Sequence, residues 1–220
     1  MRATNWKMPM NRALLVLALL LSASACGWGA DAESAIGRVR DVEGKPRVIR
    51  GDRYLELGPG SVIELRDSLI TGSFDKAEVK LRDGTIIRAS GDAQLTIQEY
   101  VYRERPAKLR LTSTGGRYGV KTGKSFNAAG SNLEIDTPFA IIFSGKADLL
   151  VEHDVDAASI IVMQLGSDPI RVTNQFGEAE LLHKGEASTV RFGLLPSPPV
   201  QPGERELRDA AESPLLLLDP

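Results

Sequence analysis

The chain has 220 residues, 42% of them hydrophobic and 25% charged, and its 27 Lys plus Arg stand against 29 Asp plus Glu for a net charge of −2. That balance excludes the broad positive field that nucleic-acid binding requires, and a single cysteine excludes a disulfide scaffold. Aromatic residues make up only 5%, so any core must be built mainly from Val, Ile and Leu.

At the N-terminus, Arg2, Lys7 and Arg12 form a positive leader without acidic residues, followed by an unbroken apolar run from Ala13 to Leu21. This is the layout of a signal peptide. The run is far shorter than the roughly 20 residues of a spanning helix, so residues 1–25 are expected to be cleaved. Ala23-Ser24-Ala25 is a small-x-small cleavage site, and Cys26 follows it directly. The stretch from Leu21 to Gly27 resembles a lipobox, in which the cysteine is thioetherified with diacylglycerol, although Ala23 stands where a larger aliphatic residue is usual. The alternative is a secreted protein cut after Ala25 or Ala30. An unpaired thiol is a liability in an oxidising envelope, which favours lipid attachment at Cys26. Gly27 replaces the Asp of lipoproteins kept at the inner membrane, so the expected location is the periplasm or the outer membrane. Cleavage removes three basic residues and no acidic one, leaving 24 against 29 and a net of −5. The mature chain is mildly acidic and suits one domain.

Residues 26–35 read as a linker. From Ile36 to Phe192 the apolar stretches are short, β-branched or alternating, and glycine-containing turns separate them, which predicts an all-β fold. The clearest alternation is Ala77-Glu78-Val79-Lys80-Leu81, followed by Arg82-Asp83-Gly84 and Thr85-Ile86-Ile87-Arg88. Asp83-Gly84 between two strands is a hairpin signal, read here as a turn in which both residues take φ > 0. Ala93, Leu95 and Ile97 keep the period of two, as do Leu109 and Leu111, then Leu133 and Ile135. Fully apolar runs at 139–143, 149–151 and 160–163 are expected as central strands buried on both faces. Glu43-Gly44-Lys45-Pro46, Gly58-Pro59-Gly60, Thr114-Gly115-Gly116 and Gly166-Ser167-Asp168-Pro169 are read as turns between strands. The sole helix candidate, residues 205–212, follows a proline-rich stretch expected to be an extended linker. The domain is therefore placed at 36–192, with a linker and an apolar tail over 193–220. Leu215 to Leu218 should bury, either against the domain or against a partner.

Chemical motifs are few. Thr122-Gly123-Lys124-Ser125 looks like the end of a phosphate-binding loop, but Tyr118 occupies the position of its required first glycine and no helix follows. His153 and His183 lack cysteine neighbours and are expected to be solvated loop residues. Glu152, His153, Asp154 and Asp156 gather acidity without the spacing of a calcium loop. No serine sits in a Gly-x-Ser-x-Gly elbow. The residues point to no enzyme, no metal and no cofactor.

With these strands in place, Ile36-Gly37-Arg38-Val39, the stretch from Gly44 to Gly51, Leu57-Gly58-Pro59-Gly60, Asp67 to Gly72, and Ala77 to Thr85 follow an order that resembles the FecR-domain family. Asp136-Thr137-Pro138-Phe139-Ala140 is similar to that family's Thr-Pro turn, and Leu181 to Glu186 to its late Gly-Glu hairpin. The resemblance covers roughly residues 36–192. It marks Gly72, Asp83, Gly84, Thr137, Pro138 and Gly185 as the turn and fold signature, and implies a β-sandwich or a short β-solenoid-like domain. Phe143-Ser144-Gly145-Lys146-Ala147-Asp148 replaces the family's usual Arg-Gly-Thr. The family's signalling members carry a cytoplasmic segment and a membrane span ahead of the domain, and here a cleavable leader is expected instead. The expected function is a non-catalytic binding or scaffold module for an envelope protein or a cell-wall polymer, held to the membrane by lipid if Cys26 is modified. The alternative is a ligand-sensing or regulatory subunit acting with a membrane-spanning partner.

Overall fold

Period-two burial shapes the computed structural model, which describes residues 35–201. The leader, Cys26, the 205–212 helix candidate and the tail leucines lie outside the described residues. The strands are β1 (Ala35–Glu43), β2 (Arg47–Arg50), β3 (Arg53–Glu56), β4 (Val62–Glu64), β5 (Ser68–Ile70), β6 (Lys76–Leu81), β7 (Ile86–Val101) and β8 (Lys108–Lys121). A single 3-10 turn (Lys124–Asn127) separates them from β9 (Asn132–Asp136), β10 (Ile141–Ser144), β11 (Asp148–Asp154), β12 (Ser159–Gln164), β13 (Ile170–Asn174), β14 (Gly177–Leu181) and β15 (Ala187–Arg191).

The long hairpin β7–β8 serves two layers at once. One layer runs β14-β13-β10-β9-β8-β7-β5-β2-β3, and the other runs β4-β1-β6-β7-β8-β11-β12-β15. Pairing is antiparallel throughout except between β8 and β9. The layers face each other: a void of about 10 Å³ is lined by Val48, Leu69 and Leu95 from the first and by Ile63, Val79 and Ile87 from the second. The domain is thus an all-β sandwich without a closed barrel. Inward residues of both layers, among them Ile97, Leu111, Leu133, Ile142, Val151 and Val162, form one core.

Both long strands bend where they pass from one layer to the other. In β7 the register shifts between Ser90 and Gln94, with Gly91 and Asp92 at φ +55° and +61°. In β8 the bend falls on Gly115-Gly116. A β-carbon on Gly116 would overlap the backbone of Ala93, and its φ of +81° is open to glycine. Thr114-Gly115-Gly116 is therefore a kink inside a strand and not a turn between two, a role that interior glycines also fill.

The apolar runs divide. Leu149, Leu150 and Val151 are all buried, as expected of a central strand. In the other two runs, Ile141 and Ile161 face outward and are exposed, because each lies in a strand with only one face against the core. Phe139 and Ala140 precede β10 and belong to a turn. Beyond Phe192 the chain doubles back along β15, with Val200 bridged to Ala187.

Two buried carboxylates of the N-terminal half are held by arginines. Arg50 donates through Nε and Nη2 to the two carboxylate oxygens of Asp67, at 2.8 and 2.7 Å, and Asp67 is 1% exposed. The buried Glu78 carboxylate is held between Arg40 and Arg88 at 2.8 and 2.7 Å.

Candidate interaction site

The signature residues fall at three places. Asp83 and Gly84 form a tight turn: the Leu81 amide donates to the Thr85 carbonyl, and the Gly84 amide to that of Leu81, at 2.8 and 3.0 Å. Gly84 takes φ +90°, while Asp83 is not among the positive-φ residues. The expectation that both residues turn left-handed is corrected, because this is a three-residue loop with one left-handed position. Asp83 instead works through its side chain. Its carboxylate accepts from the Thr85 amide and hydroxyl, each at 2.9 Å, and from the Tyr100 hydroxyl at 2.8 Å.

The phosphate-loop look-alike packs onto this turn. The Lys124 amide donates to the Asp83 carbonyl at 3.2 Å, and the Gly123 amide to Thr85 Oγ1 at 2.8 Å. Amides that a phosphate would need are used inside the fold.

Gly185, at φ +89°, closes the turn before β15, and its amide donates to the Gln164 carbonyl at 2.7 Å. The Glu186 side chain accepts from the amides of Leu182 and His183 at 2.7 and 2.9 Å. The His183 amide, together with its ring, holds the Glu186 carboxyl below the usual carboxylate range. His183 is exposed, as expected.

Thr137, Pro138 and Gly72 gather at one end of the sandwich. Thr137 Oγ1 accepts from the Phe139 and Ala140 amides at 3.3 and 3.0 Å and donates to the Ala140 carbonyl. With proline fixing φ at the next residue, this turn sets Phe139 edge-on to His153, ring centroids 5.3 Å apart. Phe139 also meets Phe192 at 6.3 Å, again edge to face. Asn174 ties neighbouring loops to this wedge, donating to the Phe139 carbonyl at 3.4 Å and the Leu194 carbonyl at 2.7 Å. Its own Oδ1 accepts from the Phe176 amide at 2.9 Å. Phe192 is 75% exposed, and Phe176, Leu194 and Leu195 are also exposed. Three loops remote in sequence thus present one apolar surface.

Beside it opens a polar cleft of about 370 Å³, lined by Ser90, Asp92, Arg117, Glu152, His153, Asp154 and Asp156 among others. Arg117 pairs with Glu152 at 2.9 Å. Asp92 accepts from the Ser73 hydroxyl at 3.1 and 2.9 Å, and its amide donates to the Gly72 carbonyl at 3.3 Å. Gly72 in turn is capped by Asp75 Oδ2 at 3.0 Å. The turn so formed carries Phe74, 93% exposed.

His153 is not a solvated loop residue. It sits in β11, 3% exposed, because period two places it on the inward face with Val151. Its Nδ1 is buried without a hydrogen-bond partner. Burial pushes the imidazole below its ordinary range, with Asp154 opposing. Among the described residues no group of three His, Cys, Asp or Glu side chains could hold a metal ion.

The aromatic end escaped the sequence reading, yet it leaves a trace there. Ser73-Phe74-Asp75, Pro138-Phe139, Phe176-Gly177 and Phe192-Gly193 each place a phenylalanine beside a turn-forming residue.

Two crystal structures of a candidate anti-sigma factor from Parabacteroides distasonis share this fold, each with a TM-score of 0.52 and with 11% and 12% sequence identity. The match covers 64% and 65% of this chain and 62% and 63% of the other. This chain therefore spans less than two thirds of theirs. No protein-family model matches the sequence, and no curated protein matches it.

Proposed function

We propose that this chain is a FecR-like, non-catalytic extracytoplasmic regulatory module that binds another envelope protein and works with a membrane-spanning partner. The fold shared with the candidate anti-sigma factor supports this reading over a purely structural scaffold. The observation that carries it is the apolar surface formed by Phe139, Phe176, Phe192, Leu194 and Leu195. Soluble domains keep large exposed apolar clusters chiefly where they meet a partner, and an aromatic centre is the usual core of a protein interface.

The leader sequence adds the location. On this reading the mature chain starts at Cys26 and is held at the envelope by lipid. A clickable palmitate analogue should label the wild type and leave Cys26→Ser unlabelled, and an unlabelled, freely soluble wild type would exclude anchoring.

The regulatory role is tested in the native bacterium. Cross-linking and capture should recover a membrane-spanning protein, and deletion of the gene should change transcription of a defined gene set. Failure to recover such a protein, together with unchanged transcription on deletion, would refute the reading.

A further inference from the structure

We propose that the aromatic end and the adjoining cleft form one docking site for an extended polypeptide segment that carries an apolar anchor flanked by Lys or Arg. This rests on the partner-binding reading above and specifies where and what the domain binds.

Three observations converge. The apolar half is continuous: Phe139 touches Phe192, Asn174 holds Phe176 and Leu194, and Leu195 lies against the Gly177 backbone, 3.5 Å from where a β-carbon would stand. The polar half is acidic, since Asp92, Glu152, Asp154 and Asp156 line the cleft against the one cation Arg117, which already pairs with Glu152. The halves adjoin, because the Phe192 amide donates to the Ala158 carbonyl at 2.9 Å and Ala158 closes the turn carrying Asp154 and Asp156.

His153 marks the seam. It lines the cleft, packs on Phe139 and has a buried ring nitrogen with no partner in the domain. A buried polar atom left unpaired loses the hydrogen bond it would make in water. Such an atom beneath a cleft is a place where a ligand's polar group gains most. The chemistry of the occupant follows from the surface. Leu, Ile, Phe or Trp fits among the rings, and a basic neighbour complements the carboxylates, which favours a Lys or Arg on encounter. A negatively charged segment is repelled by the same groups.

The test is selection of a phage-displayed random 12-residue peptide library on the full-length protein, followed by fluorescence polarisation with the recovered peptides. The expected peptides share an apolar anchor with flanking Lys or Arg. Their affinity should fall at least tenfold in Phe192→Ser, in Phe176→Ser and in Asp156→Lys, and stay unchanged in Lys124→Glu at the distant Asp83 turn. Melting temperatures of all four variants are measured alongside, so that lost binding is not mistaken for lost folding. Recovered peptides without basic flanks, peptides that bind all variants equally, or no recovered peptide would each overturn the proposal. In cells, a Phe192→Ser strain that keeps its partner and its transcriptional pattern would sink this site and leave the regulatory reading standing.

Discussion

Gly123 lies so close to Asp83 that a β-carbon on the glycine would overlap the aspartate carbonyl oxygen and come 2.6 Å from the Thr85 amide nitrogen. The obstacle is backbone on both sides, so it cannot swing away. Gly123→Ala should cost about 2 kcal/mol or more, on the scale of overpacking in a close-packed site. Lys124→Ala should leave the melting temperature unchanged, since only the Lys124 backbone joins the turn. Gly84→Ala should fall between the two at about 1 kcal/mol: nothing lies within 4 Å of a β-carbon there, and only the left-handed backbone resists. Urea denaturation ranks the three, and equal midpoints would refute this account of the turn.

The Arg50–Asp67 pair predicts a larger loss. Asp67 accepts both guanidinium bonds and the Glu64 amide at 2.8 Å while almost wholly buried. Removing the arginine strands a carboxylate where water does not reach it, and breaking such a pair costs about 3–5 kcal/mol. Arg50→Met should therefore destabilise by about 3 kcal/mol, and the double change Arg50→Met with Asp67→Leu should recover part of it. A single variant as stable as wild type would show that the pair is dispensable.

Much of this architecture is legible in the residues, and where it is not the reasons are physical. Alternation from Ala77 to Leu81 and the Asp83-Gly84 pair determine β6 and its hairpin, because period and turn chemistry are local. Gly115-Gly116 misleads, since a Gly-Gly pair reads as a turn and its role here, passing against Ala93, depends on a residue over twenty positions away. Phe139 reads as the start of a strand because an apolar run follows it, yet Thr137 captures the amides that a strand would pair. His153 reads as a loop residue because Glu152 and Asp154 flank it, although the same period that fits Leu149 and Val151 turns it inward. The aromatic end is assembled by tertiary contact from loops that share no pattern, and the signature residues reach it only through Gly72 and Thr137-Pro138.

Burial of His153 gives stability a signed dependence on pH. In the unfolded chain the imidazole titrates near its ordinary 6.5, and in the fold it titrates lower. Between the two values the unfolded chain binds more protons, so stability rises with pH there. The contribution is complete above about 6.5 and is lost as pH falls through the folded value. His153→Gln removes this titration. Urea midpoints measured stepwise from neutral pH to pH 4 should fall more steeply for wild type than for the variant. Parallel curves would mean that His153 keeps its proton equally well in both states.

The final prediction concerns the edge of β15. Its outward backbone groups are occupied by the chain's own 197–200 segment. The Ala187 amide donates to the Val200 carbonyl at 2.8 Å, and the Val200 amide to the Ala187 carbonyl at 2.9 Å. The Ser197 amide donates to the Thr189 carbonyl at 2.9 Å, and Ser197 Oγ accepts from the Thr189 amide at 3.0 Å. Pro196, Pro198 and Pro199 have no amide hydrogen to offer a further strand, so the strap both pairs the edge and ends it, a common defence against edge-to-edge association. Each bond contributes about 1 kcal/mol, offset by the ordering of the strap, for a net of about 2 kcal/mol. A chain ending at Leu195 should melt roughly 4–8 °C lower, at ~2–4 °C per kcal/mol for a domain of this size, and should form oligomers in sedimentation. A chain ending at Gln201 keeps the strap and should match the full-length protein in both measurements. If the shorter chain stays monomeric with an unchanged melting temperature, the strap does not guard the edge. If the longer one also aggregates, the protection lies beyond residue 201.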